Sequence, residues 1–175
     1  MAEIHILGSL VGASDFPKSQ LCCKWSIVSG ESWVLLEGET SGRTHVDIPL
    51  DPTLSVWSHP LDIHFATKSI AGWPKLVVHV FHQDMFGRNE LFGYGFIHVP
   101  ATPGKHTMEI VTWRPTGTMK EQLWATFLGA TNQLKDTNLI YDPMDRFRLV
   151  TESMGKVHVE FDIIIRNFQK TGVSS

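Results

Sequence analysis

The side chains able to do chemistry are scattered along this chain rather than gathered. Nine histidines are present, yet none stands at a metal-ligand spacing. His79 and His82 are three apart on a segment that reads as a strand. They therefore face opposite sides of a pleated ribbon and cannot chelate one ion together. No serine occupies a G-x-S-x-G elbow, so the strained turn that presents an esterase nucleophile is missing. Gly93-Tyr94-Gly95 lacks the third glycine and the following helix of a phosphate cradle, and there is no Walker lysine. Cys22 and Cys23 are adjacent, and on a strand they point to opposite faces, which disfavours a bridge between them. They read as two free thiols, one inward and one outward, the alternative being a vicinal redox switch. The richest stretch runs from Val78 to Pro100: a strand enters a turn at Asp84, passes Gly87 and Glu90, and becomes a strand again at Gly93. The chain is read as a non-enzyme, and no cofactor is expected.

The elements that would position these residues are strands. Val157, Val159, Phe161, Ile163 and Ile165 alternate with His158, Glu160, Asp162, Ile164 and Arg166, the pattern of a ribbon buried on one face. The same period predicts strands near Ile4–Leu10, Leu21–Val28, Trp33–Glu37, Arg43–Ile48, Leu61–Phe65, Leu76–Phe81, Gly93–Val99, His106–Trp113 and Phe147–Glu152. Turn clusters separate them, among them Thr40-Ser41-Gly42, Phe86-Gly87-Arg88-Asn89 and Ser153-Met154-Gly155. One segment departs from the pattern. Thr118-Met119-Lys120-Glu121 has capping-box spacing, and Met119, Leu123, Trp124, Phe127 and Leu128 fall on one helical stripe before Gly129. A helix is expected near 118–128, followed by a polar surface loop from Thr131 to Asp145. The fold class is all-β: an antiparallel β-sandwich of eight to ten strands with one inserted α-helix. Residues 1–170 are expected to form a single domain, and 171–175 a short disordered tail.

Composition agrees. Apolar residues make up 42% of the 175 and charged ones 19%, the balance of a chain that buries a core. Fifteen Lys and Arg face 18 Asp and Glu, a formal net charge of −3. That is not the electrostatic footprint of a duplex nucleic-acid binder. The longest nearly apolar run, Ile6 to Ala13, falls far short of a membrane span. Met1-Ala2-Glu3-Ile4-His5 lacks the cationic start of a secretory leader. A soluble, cytoplasmic protein is expected.

The stretch around Asp84 resembles the third apical loop of C2-type domains, in which two strands flank an acidic, phenylalanine-bearing turn. In calcium-binding members five carboxylates from two such loops surround the ion, since a hard dication wants several anionic oxygens. The resemblance puts His82, Asp84 and Glu90 at the positions of that loop. It puts Asp15 in the earlier loop, Ala13 to Gln20, with Gln20 where a second acid belongs. Three carboxylates of the five remain, and an imidazole suits a hard cation poorly. Asp15, Asp84 and Glu90 are thus vestigial metal positions or an ordinary acidic turn, and no bound metal is expected. Phe16, Met85 and Phe86, beside Lys18 and Arg88, either project together toward a membrane or a partner's groove, or close the end of the core.

Tryptophans sharpen the reading. Gly8-Ser9-Leu10-Val11-Gly12-Ala13 is followed by Cys23-Lys24-Trp25, then Trp33 and Gly38-Glu39-Thr40-Ser41-Gly42-Arg43-Thr44. Trp57-Ser58-His59-Pro60-Leu61-Asp62-Ile63-His64-Phe65, Gly72-Trp73-Pro74-Lys75-Leu76, Gly93-Tyr94-Gly95 and Trp113-Arg114-Pro115 follow. Taken together, from Glu3 to Phe168, they resemble the B9-domain family, a C2-like group of proteins of the cilium base. The resemblance implies a non-enzymatic scaffold subunit of the tectonic-like (Meckel syndrome) complex at the ciliary transition zone and basal body. It implies support of ciliogenesis, Hedgehog signalling and the membrane-protein diffusion barrier. Implied partners are B9 domain-containing protein 1 and Meckel syndrome type 1 protein, with tubulin and membrane lipid as further contacts. The alternative is a peripheral lipid-binding module with little or no calcium dependence. Contact candidates are Phe16, Lys18, Trp73, Met85, Phe86 and Arg88. Most tryptophans should be core, and Trp73, beside Pro74 at a loop-to-strand junction, is the best exposed candidate.

Overall fold

A computed structural model describes residues 1–116 and 151–168. Among these residues the chain forms nine strands: β1 (Ala2–Ser14), β2 (Leu21–Val28), β3 (Trp33–Gly38), β4 (Ser41–Arg43), β5 (Leu54–Thr67), β6 (Lys75–Gln83), β7 (Asn89–His98), β8 (Gly104–Pro115) and β9 (Thr151–Arg166). They hydrogen-bond in the order β3-β5-β1-β9-β8-β7-β6-β2-β4, with every pairing antiparallel. The β7–β8 junction is a single residue pair, Tyr94 with Trp113. There the sheet curls over, so that its two halves face each other as the layers of a sandwich. The expected all-β, antiparallel class is what the chain adopts. The helix expected at 118–128, with Trp124, and the loop expected from Thr131 to Asp145 lie outside the described residues, as do the tail at 171–175 and the strand expected at Phe147–Glu152 up to residue 150.

Alternation explains the curl. Ile4, Ile6 and Leu10 of β1, Ile63 and Phe65 of β5, and Val157, Val159, Phe161 and Ile163 of β9 point to one side. From the opposite layer Cys23 and Trp25 of β2, Leu76, Val78 and Val80 of β6, and Phe92 of β7 join the same core. Each such side chain contributes about 1.5–3 kcal/mol on burial. A smaller cluster, Val77, Leu91, Tyr94 and Trp113, lies against Val28, Phe81 and Phe96.

Three expectations are corrected. Thr40-Ser41-Gly42 is not a turn throughout: Ser41 and Gly42 already belong to β4, paired with Ser26 and Trp25 of β2. Arg43–Ile48 is not a strand. The ladder to β2 ends at Arg43, after which the Thr44 amide donates to the Cys23 carbonyl and the Thr44 hydroxyl accepts from the Cys23 amide. Only Asp47 rejoins, opposite Leu21. Nor does Ser153-Met154-Gly155 make a turn: β9 runs straight through it. Gly155 is there because a Cβ would stand 2.3 Å from the Ser14 carbonyl oxygen and 2.4 Å from the Phe16 ring.

Candidate functional site

Three connections meet at one end of the sandwich. β1 leads to β2 through residues 15–20, β4 to β5 through 44–53, and β6 to β7 through 84–88. Register places them together: Leu21 pairs with His82 and bridges to Asp47, while Leu54 pairs with Ser14. The first connection is latched to the third by its own polar groups. The Gln83 amide donates to the Gln20 carbonyl at 2.9 Å, and His82 Nδ1 donates to the Ser19 carbonyl at 2.6 Å. Lys18 Nζ pairs with Glu90 Oε2 at 3.1 Å and stands 5.6 Å from the Phe92 ring centroid. His82 stacks on that same ring, centroids 5.3 Å apart. Asp15 and Gln20, which open and close the connection, both take left-handed backbone angles, φ 61° and 60°, which short polar side chains tolerate best.

The β6–β7 turn is tied by Asp84. Its Oδ1 accepts from the Phe86 and Arg88 amides, each at 2.9 Å, and its Oδ2 accepts from Arg88 Nε at 2.7 Å. Gly87, at φ 77°, supplies the turn's left-handed residue. The bond from the Arg88 amide is the largest influence on the Asp84 carboxyl, and with the Phe86 amide and the guanidinium it holds that group below the ordinary carboxylate range. The Arg88 guanidinium also lies 5.4 Å from the Phe86 ring centroid.

The acidic positions therefore answer to protein donors. Asp84 is held by Arg88, Glu90 by Lys18, and Asp15 accepts from the Ser14 hydroxyl at 3.4 Å. His82 Nδ1, at the remaining loop position, faces a backbone carbonyl. Among the described residues no three His, Cys, Asp or Glu side chains converge as a metal cage requires. This donor set does not fit a calcium ion, which wants several converging oxygens with carboxylates among them, because Asp84 and Glu90 spend theirs on Arg88 and Lys18.

The contact candidates divide. Met85, Phe86, Lys18 and Arg88 are exposed, whereas Phe16 is buried in the core and packs beside Gly155. Phe16 thus takes the second course open to it and closes the end of the sandwich, because the β1–β2 connection folds back over Gly155. Trp73 is half-buried rather than exposed: its Nε1 donates to the Val99 carbonyl at 2.7 Å, and its ring meets Trp33 and Phe168 edge-on. Trp25, Trp33, Trp57 and Trp113 are buried. Sequence reasoning missed Ile48, Leu50, Leu54 and Val56, which are exposed in and after the β4–β5 connection, at the same end as Met85 and Phe86. The readable signal was the run Ile48-Pro49-Leu50, apolar yet set among turn residues.

One cross-strand group has the order of a catalytic triad. Ser14 Oγ lies 2.8 Å from His158 Nε2, and His158 Nδ1 lies 3.7 Å from Glu109 Oε1. The second separation is too long for a hydrogen bond. Glu109 Oε2 is engaged by Lys156 Nζ at 2.8 Å, and that ion pair chiefly lowers the Glu109 carboxyl and raises the Lys156 ammonium. Glu109 is an exposed residue of β8 pairing with His158 of β9, a setting that polarises a serine poorly. Elsewhere, burial pushes the Cys23 thiol far up, with the Cys22 beside it adding to the effect.

The family model "Ciliary basal body-associated, B9 protein" (B9-C2) matches residues 4–164, nearly the whole chain. The chain belongs to the B9-domain family. This B9 domain is 53% identical over 175 residues to B9 domain-containing protein 2 of Xenopus laevis, covering all of this chain and 99% of that one. To the Homo sapiens protein of the same name it is 49% identical over 173 residues, covering 99% of each. B9 domain-containing protein 1 of Xenopus laevis is 29% identical, covering 98% of this chain and 88% of that one. Among solved structures, the C2A domain of a plant extended synaptotagmin 1 aligns over 95% of this chain and 96% of its own, at 14% identity and a TM-score of 0.47.

Proposed function

We propose that this chain is a non-enzymatic scaffold subunit of the tectonic-like (Meckel syndrome) complex, acting on the cytoplasmic side of the ciliary transition zone and basal body. There it supports ciliogenesis, Hedgehog signalling and the membrane-protein diffusion barrier through protein–protein contacts. The observation that carries this reading is membership of a family described as ciliary basal body-associated, across residues 4–164. Its partners are B9 domain-containing protein 1 and Meckel syndrome type 1 protein, with tubulin as a further contact. Co-expression of the tagged chain with B9 domain-containing protein 1 tests it. Stoichiometric capture that survives washing supports the reading, and absence of capture by the folded chain opposes it.

A second reading, a peripheral lipid-binding module, draws on a separate observation. Ile48 and Leu50 on one connection and Met85 and Phe86 on another are exposed at the same end of the domain, beside Lys18 and Arg88. An exposed apolar tip suits a membrane interface, with Lys18 and Arg88, each paired to a carboxylate, as the cations beside it. Sedimentation with phosphatidylserine vesicles tests this. Loss of binding in Leu50→Glu and Phe86→Glu, with partial loss in Arg88→Ala, supports it; equal binding by wild type and variants rejects it.

A further inference from the structure

The two edges of the curled sheet are managed in opposite ways. β4 is three residues long, and Arg43 at its end is anchored to Cys22 Sγ and to Asn89 Oδ1. An edge so short offers little to a stranger. β3 is six residues long, stands last in the strand order and pairs only with β5. Its outer row of backbone donors and acceptors has no ladder among the described residues. Trp33 fixes its start: the ring is buried, its Nε1 donates to the Ala71 carbonyl at 2.9 Å, and Phe65 and Trp73 meet it edge-on. Beyond that anchor, Val34, Leu35 and Leu36 are 55%, 41% and 51% exposed. The register slips between Leu35 and Glu37, leaving Leu36 as the extra residue of a bulge. Alternation is broken there, so three successive apolar side chains face water. A firmly held, apolar, unpaired edge is a template for strand addition.

Charge says what kind of strand fits. Glu31, Glu37 and Glu39 bracket the apolar run, are exposed, and have no hydrogen-bond or ion-pair partner among the described residues. We infer that β3 is a docking edge that takes an extended segment of a partner protein, apolar in its middle and carrying Lys or Arg at its ends. Added as a tenth strand, such a segment completes the backbone ladder, covers Val34 to Leu36 and neutralises the three carboxylates. A second copy of this chain does not fit, because edge-to-edge pairing would stack one set of carboxylates on another. The inference rests on the partner-binding reading above and names its surface.

The test uses the full chain, isotopically labelled, and two synthetic peptides: acetyl-Lys-Thr-Val-Ile-Val-Thr-Lys-amide and the same sequence with Glu in place of Lys. The expected result is saturable shifts of the Val34–Gly38 amides with the basic peptide, and binding of the acidic one weaker by about tenfold or more. In the triple variant Glu31→Lys/Glu37→Lys/Glu39→Lys the preference reverses. In Val34→Lys/Leu36→Lys, whose sites are exposed so that the unfolding temperature should hold, the basic peptide fails. No response at millimolar peptide, equal responses to both, or shifts confined to residues outside β3 overturn the inference. So does a dimer of the wild-type chain that Val34→Lys/Leu36→Lys dissolves. Capture of B9 domain-containing protein 1 separates the two ideas. Undiminished capture by the triple variant removes β3 from that contact and leaves the scaffold reading standing. Failure of wild-type capture sinks the scaffold reading, while the peptides still decide the edge.

Discussion

Gly155→Ala tests how the functional end is built. A Cβ at this position would stand 2.3 Å from the Ser14 carbonyl oxygen and 2.4 and 2.6 Å from two atoms of the Phe16 ring. Neither neighbour can yield easily. Ser14 is held on both sides, opposite Lys156 in β9 and Leu54 in β5, and Phe16 is part of the main core. Forcing one methyl into such a site typically costs about 1–3 kcal/mol, and contacts this short belong at the upper end. For a chain of this size, about 2–3 kcal/mol lowers the unfolding temperature by roughly 5–10 °C. Thermal and urea unfolding followed by circular dichroism measure it. A double-mutant cycle sharpens the result: with Phe16→Ala in place the ring contacts vanish and only the Ser14 carbonyl remains. The added cost of Gly155→Ala then falls by about 1 kcal/mol. If Gly155→Ala is as stable as wild type, or costs the same in both backgrounds, Phe16 does not close this end and the packing argument fails.

Burial, with the positive charge of Lys24 adding to it, lowers the His79 imidazole from 6.5 to about 4. The unfolded chain therefore binds a proton between those values that the folded chain refuses, so stability falls as pH drops from 6.5 toward 4. Trimmed for the ring's partial contact with solvent, the share lost is about 1–2 kcal/mol, and urea midpoints at pH 7 and 4.5 should show it missing in His79→Gln. Asp84 has the opposite sign: its lowered carboxyl favours the fold above the ordinary aspartate range and loses that contribution as pH falls through the folded value. Arg88→Ala should move the Asp84 carbon-detected titration upward, and an unmoved titration would show that the guanidinium does not hold it. Both cysteines are free, and both are buried, so the thiol expected to face outward is covered too. Ellman's reagent should find no reactive thiol in the native chain and two after denaturation, whereas rapid native labelling would contradict the packing of β2. A fluorophosphonate probe should leave Ser14 unmodified, and stoichiometric labelling would make the Ser14–His158–Glu109 row an active serine.

The strands of this fold are legible because apolar residues recur every second position, and Leu21–Val28 is found to the residue. β5 is read at only its second half. In its first half Leu54 and Val56 point outward while Ser55 is buried, which inverts the pattern the eye follows. Gly155 reads as a turn because glycine is common in turns, yet here the demand comes from a carbonyl 141 positions earlier in the chain. The same distance problem hides the site. Asp84 and Arg88 share a turn and can be guessed, but nothing local tells that Lys18 meets Glu90 or that Ser14 meets His158. Exposed Leu50 and the Val34–Leu36 run obey no period, so no alternation marks them in the sequence.

Binding of this β-sheet body to another protein of its own family, as proposed above, can be measured directly. Isothermal titration of the purified full chain with purified B9 domain-containing protein 1, repeated at three temperatures, addresses it directly. The expected result is one-to-one binding with Kd at or below about 1 µM and a negative heat-capacity change, the mark of apolar surface leaving water. No heat at tens of micromolar at any temperature, with the two folded proteins eluting separately on a sizing column, would contradict it.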